Sequence, residues 1–354
     1  HHVIASPPNY DGKTVNTVYF GSDGGMYKAD NVRTVAKTTG WTELNNNLGI
    51  TQFFSIAGNP TTGSVVGGTQ DNGTLFYTVA GGSKWAITGG GDGGFSAADP
   101  KDPNYWYGEY VDLQIHRSTK AGAKHEYIYD GITDAKTCAN FIAPFILDPN
   151  NSNRMLAGGC SLWRSNNVKA AVPTWTAIKP PTWDKTPISA IAVAKGNANI
   201  IWVGYNDGTI YKTANGTAAS PTWTQVDDGL PARYINRLTI ADAAGKTVYV
   251  SLGGFAQQNV WRTTDAGATW ASRSGTGTSA LPGAPVYSLV IHPSDLNTLY
   301  VGTDIGIFYS TDAGATWVRP SSGPATVSTD ELIFLGTTLY AGTHGLGVYK
   351  SATP

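Results

Sequence analysis

The sequence is poor in charge. Asp, Glu, Lys and Arg supply 14% of its 354 residues, where an ordinary globular protein has roughly a quarter, and 24 basic side chains nearly cancel 25 acidic ones. A formal net charge of −1 gives no general attraction for nucleic acid or anionic lipid, so no nucleic-acid partner is expected. No apolar run approaches the roughly 18 residues that cross a bilayer, and no membrane insertion is expected. Residues 1–20 lack the basic, apolar and small-residue order of a signal peptide, so the chain reads as mature or trimmed, with His1 and His2 either native or added. The six histidines show no H-E-x-x-H or close Cys/His spacing, and no G-x-S-x-G or Walker loop occurs. Neither metal nor cofactor is expected; calcium in an Asp-rich turn is the one remaining option, although no EF-type loop is present.

What the chain has is glycine, proline and aromatics: 43 Gly, 19 Pro, 11 Trp, 18 Tyr and 10 Phe. Turns and bulky core residues dominate, with almost no period of 3.6. One phrase recurs eight times: a β-rich run, a Gly/Asp turn and a second β-rich run. It reads VYFGSDGGMYKA from Val18, VVGGTQDNGTLFY from Val65, YWYGEYVDLQIHRS from Tyr105 and MLAGGCSLWRS from Met155. Later copies start at Ile201, Val248, Leu299 and Leu339. A short apolar segment precedes each copy, and a Thr-Trp segment follows most of them. Four short antiparallel strands per unit describe the blade of a β-propeller. The spacing predicts an all-β chain that forms one propeller domain over residues 1–354. Its units start near residues 3, 53, 94, 141, 188, 234, 286 and 328. Eight blades are expected, with seven the alternative if one unit forms no blade. The last unit stops without its Trp strand, so closure leaves a blade short or borrows an edge.

Two units carry S/T-x-D-x-G-x-T-W, around Asp265, Gly267 and Trp270 and around Asp312, Gly314 and Trp317. This resembles the aspartate box, or BNR repeat, of sialidase-like propellers. An Asp accepting its own turn's N–H groups, a Gly at positive φ and a covering Trp are structural duties. Weaker copies replace the Asp with Lys120, Asn167 or Asn215. The resemblance implies no sialidase activity, since the Arg-Ile-Pro motif of those enzymes is missing. The stretch SDGGMYK at Ser22 is similar to a segment of two-propeller xyloglucan-cleaving hydrolases, which maps a catalytic carboxylate onto Asp23. In that family the second carboxylate comes from a second propeller.

In a propeller, the turns between strands two and three share a face with the connections between blades. Turns on that face carry Asp23, Gln70, Asp71, Glu109, Asp112, Asn206, Asp207, Asp304 and His344; connections carry Gln52, Asp92, Asp134, Trp183, Asp184, Arg233 and Tyr234. The ligand-binding candidates are Gln70, Asp71, Asp92, Trp183, Arg233 and Tyr234. Asp92, in the glycine-rich run GGGDGGF, is the leading one, because glycine lets a ligand approach the backbone. Trp183 reads as an exposed stacking platform or as a core or lid residue, and Arg233 as a ligand contact or a bridge between blades. Glycoside hydrolysis needs two carboxyls about 5–10 Å apart, for which Asp23, Asp71, Asp92 and Glu109 are candidates. Asp-Gly is also the commonest hairpin pair, so each could be a turn residue. Cys138 and Cys160 fall on one face of the fourth unit and are expected to pair, placing the protein in a secreted or periplasmic compartment. Three roles follow: recognition of a glycan or protein ligand on the first blades, glycoside hydrolysis, or assembly within a larger secreted chain. The protein is expected to be a monomer or a domain of such a chain.

Overall fold

The computed structural model describes residues 2–22, 24–46, 48–82, 84–324 and 326–351. All eight units form antiparallel sheets, four-stranded in six cases and three-stranded in the last two. In the seventh, a single bridge between Tyr309 and Val318 stands in for the outer strand. Among the described residues the eighth has three strands, the outermost being Gly347–Ser351.

Each sheet of the ring is covered on both faces by its neighbours, which is why an innermost strand such as Ile188–Ala194 is a nearly unbroken apolar run, buried throughout. Seven sheets pack in sequence around a central channel, their innermost strands being Phe53–Gly58, Ser96–Ala98, Phe145–Asp148, Ile188–Ala194, Ile235–Ile240, Val286–His292 and Thr329–Leu335. The ring closes where the last of these meets the first: Thr329–Leu335 packs on Phe53–Gly58, and Phe53 and Ile56 share a core with Ile333, Leu335 and Tyr340. Gln52 bridges His344, and the carbonyl of Thr51 accepts the N–H groups of Gly345 and Gly347. That contact leaves no gap for the first sheet, Val3–Ala5, Val18–Ser22, Gly25–Ala29 and Trp41–Glu43, which therefore stands outside the ring. Val3 and Ile4 on it are exposed. Deleting residues 1–46 should accordingly leave a chain that still unfolds cooperatively, with a Tm within about 5 °C of the parent in a calorimetric scan.

The S/T-x-D-x-G-x-T-W segments fold as turns. Asp265 Oδ1 accepts the Thr263 hydroxyl at 2.7 Å and the Thr269 N–H at 2.9 Å, and Gly267 sits at φ +86°. Asp312 and Gly314 repeat this arrangement. The Thr269 and Thr316 hydroxyls hold the two carboxyls down to about 2. Asn167 and Asn215 take the same N–H bonds in the weaker copies, because an amide oxygen serves as well as a carboxylate. The Trp residues reach back to the preceding sheet: Trp270 Nε1 donates to Val226 O at 2.7 Å and Trp317 Nε1 to Arg273 O at 2.8 Å.

Candidate functional site

The turns after the second strands and the segments before the innermost strands do share a face. A repeated backbone bond ties them together. Gln70 donates to Gln52 O, Asn206 to Pro187 O, Gly253 to Tyr234 O, Asp304 to Pro285 O and His344 to Ser328 O. This face is one mouth of the channel.

Five innermost strands carry a register shift just inside that mouth, between Phe53 and Ser55, Ile188 and Ala190, Ile235 and Arg237, Val286 and Ser288, and Thr329 and Glu331. A bulge leaves one residue unpaired and re-aims its side chain. The unpaired residues are Phe54, Ser189, Asn236, Tyr287 and Asp330, so a repeated backbone irregularity collects an aromatic, a hydroxyl, an amide, a phenol and a carboxyl at one mouth.

On one side of the mouth lies an amide arc. Asn140 and Asn206 exchange two side-chain bonds of 3.0 and 2.7 Å, and Asn140 Nδ2 stands 3.4 Å from the Tyr234 hydroxyl. The opposite arc is acidic. Tyr287 donates to Asp304 Oδ1 at 3.3 Å, Ser328 donates to Asp330 Oδ1 at 2.6 Å, and His344 Nδ1 lies 3.9 Å from Asp330 Oδ2. The His344 ring packs on Phe54 with centroids 5.0 Å apart. Burial pushes Asp330 up to about 6, against the pull of the Ser328 hydroxyl and His344; the Glu331 and Asp304 charges push the same way as burial.

A carboxyl raised in the folded state holds its proton more tightly than in the unfolded chain. Its contribution to stability is therefore full below about pH 4 and disappears as pH rises through about 6, a loss on the order of 3 kcal/mol. Asp330→Asn should remove this slope, so its denaturation midpoint should overtake that of the parent between pH 4 and pH 7.

The candidates expected on the first blades fare unevenly. Asp23 lies outside the described residues. Asp71, at φ +60°, donates its N–H to Asp92 Oδ1 at 2.8 Å, so the two are adjacent, with Asp92 serving as the turn's acceptor. Two of the glycines around Asp92 serve packing: a Cβ on Gly93 would lie 2.5 Å from Gly73 O, and one on Gly94 2.1 Å from Glu109 Oε2, whereas Gly90 has nothing within 4 Å. Glu109 is fully buried, and its carboxylate accepts N–H groups from Leu113, Ala143 and Phe95 at 2.8–3.1 Å. Burial pushes it up to about 8 against those three donors. It pins a turn and two blade connections and meets no solvent. Gln70 is half-buried beside Asp71.

Arg233 holds its own blade connection in place: its guanidinium donates to Asn259 Oδ1 and to the Gln258 carbonyl, in the turn of the sheet that this connection enters. Trp183 is fully exposed, so it forms no lid, while Asp184 beside it is occupied by the Thr182 and Thr186 hydroxyls. Cys138 and Cys160 are disulfide-bonded with Cα atoms 5.5 Å apart. The bridge closes a 22-residue separation, and reducing it should lower stability by about 3 kcal/mol in denaturant melts with and without dithiothreitol.

No protein-family model matches the chain. A curated xyloglucanase from Paenibacillus sp is 26% identical over 211 residues, which are 49% of this chain and 20% of that protein. Among solved structures, the GH74 xyloglucanase of Xanthomonas campestris superposes with a TM-score of 0.63 at 16% identity, over 86% of this chain and 52% of its own. YCF48 from Cyanidioschyzon merolae gives 0.61 at 13% identity, over 84% and 94%. The chain thus spans about a fifth of the curated relative it matches and about half of the Xanthomonas structure. At these identities the structures establish the propeller fold.

Proposed function

We propose that the protein is a carbohydrate-recognising propeller of an extracytoplasmic compartment, binding a neutral glycan across the bulged mouth of the channel. The observation that carries this is the set of five bulges, which brings Phe54, Asn236, Tyr287 and Asp330 to the mouth beside Asn140, Asn206 and Tyr234. Amides, phenols and a carboxyl offer the paired donors and acceptors that sugar hydroxyls need, and aromatic faces accept the apolar side of a pyranose. The xyloglucanase relative supports a carbohydrate, and the disulfide supports an oxidising compartment. Trp183 extends the surface as a bare stacking platform outside the mouth, and Asp71 and Asp92 stand at its rim.

A second reading, glycoside hydrolysis, is favoured by one pair. Asp330 is raised towards neutrality and stands near Asp304, and Tyr287 senses both charges. An acid poised above its usual range beside another carboxylate is the division of labour glycosidases use, with Asp330 as proton donor and Asp304 as base.

The two readings separate on soluble xyloglucan and cello-oligosaccharides. Recognition predicts saturable binding with no new reducing ends, and a roughly tenfold loss of affinity in Asp330→Asn. Hydrolysis predicts reducing ends that vanish by at least about 100-fold in the same variant. Neither binding nor product from the parent protein would remove both.

A further inference from the structure

Away from the mouth, two histidines meet between the outer halves of the sheets that begin at Phe53 and Ser96. His116 belongs to the strand Ile115–Ser118 and His125 to the outermost strand, His125–Tyr127. Their register sets His116 opposite Tyr127 and Ser118 opposite His125, a diagonal relation that brings the imidazole centroids to 4.5 Å.

The strand Trp85–Gly89 of the neighbouring sheet forms the facing wall. A Cβ on Gly89 would lie 3.8 Å from His116 Nε2 and 3.8 Å from His125 Nε2. Both nitrogens therefore border the place that a side chain at residue 89 would enter. Thr74 Oγ1 is 3.2 Å from His116 Nε2, and the Tyr127 ring lies edge-on to both imidazoles at about 6 Å. Thr74, Thr88 and the two histidines line a cavity of about 10 Å³, the size of one water-sized sphere.

We infer that His116 and His125 form a binding site for a late first-row divalent cation, Cu²⁺ or Zn²⁺, held by their two Nε2 atoms in front of Gly89. Imidazole pairs suit these ions, with Cu²⁺ the tighter of the two. Among the described residues no third His, Cys, Asp or Glu joins the pair, so the Thr74 hydroxyl and the single water the cavity has room for complete a four-coordinate sphere. The sugar-binding reading makes no use of either histidine.

The test titrates CuCl₂ and ZnCl₂ into the full chain carrying His1→Ala and His2→Ala, which removes a terminal chelator. Copper is followed by electron paramagnetic resonance and both ions by calorimetry. One equivalent should bind, with hyperfine structure from two nitrogens and a rise in Tm. Gly89→Ala is the discriminating variant. Its methyl would meet nothing closer than His125 Cε1 at 3.4 Å, an ordinary contact, so metal-free stability should match the parent while affinity falls at least tenfold. His125→Ala should fall equally. Absence of saturable binding in the parent overturns the assignment, as does unchanged affinity in either variant.

Discussion

Replacing Arg237 with methionine should destabilise the protein by about 3–5 kcal/mol at pH 8 and by much less at pH 5. Arg237, on the strand Ile235–Ile240, reaches across the channel to Glu331 on Thr329–Leu335, with Nη2 2.7 Å from Oε2, and its guanidinium lies 6.0 Å over the Phe95 ring. Glu331 also takes the Ser288 hydroxyl, and Ser288 Oγ in turn accepts the Leu332 N–H at 2.9 Å. One ion pair thus spans the channel from the sheet begun at Ile235 to the last sheet, whose innermost strand closes the ring. Burial already raises the Glu331 pKa despite the arginine. Without Arg237 it rises further, so the folded state takes up a proton and the penalty is relieved below the unfolded value of about 4.3. The loss therefore grows with pH. Guanidinium melts at the two pH values should show it, and the double variant Arg237→Met with Glu331→Gln should recover most of it by removing the stranded charge.

Glu109→Gln is the second large effect, a loss of about 2–3 kcal/mol. Above about pH 8, where Glu109 is ionised, both carboxylate oxygens accept backbone N–H groups, so an amide must point its own N–H₂ at a donor and leave that donor unpaired. Those donors come from three segments: Phe95 at the start of the third sheet, Leu113 in its turn, and Ala143 before the fourth. The variant should lower the midpoint of a denaturant melt while leaving glycan affinity at the mouth within about twofold, since Glu109 meets no solvent. A selective loss of binding at unchanged stability would instead return Glu109 to the ligand site.

The eight sheets were legible because strand, turn and Trp recur at nearly constant spacing, and the disulfide because Cys138 and Cys160 fall at equivalent points of one unit. The closure of the ring was not. Sheet contacts between Ile56 and Leu335 depend on which units neighbour each other in space, and the first unit's sequence is as blade-like as the others. The site was half legible. Strand order puts the turns and connections on one face, and with them Asn206, Tyr234, Asp304 and His344. Asp330, Tyr287, Asn236 and Phe54 were missed because they lie inside runs that read as regular strand, and a bulge has no composition signal of its own. The pair His116 and His125 was equally hidden, since cross-strand register rather than spacing brings it together. The glycines near Asp92 divide: Gly93 packs closely against Gly68 and Gly73 and Gly94 against Glu109, while Gly90 has nothing within 4 Å.

The central claim is that the amide and carboxyl arcs of one channel mouth hold a sugar. Isothermal titration of a xyloglucan oligosaccharide into the parent chain, Asn140→Ala and Tyr234→Phe tests it most directly. The arrangement predicts one saturable site, weakened about tenfold by Asn140→Ala and several-fold by Tyr234→Phe, with melts close to that of the parent. Binding that neither substitution alters would contradict it.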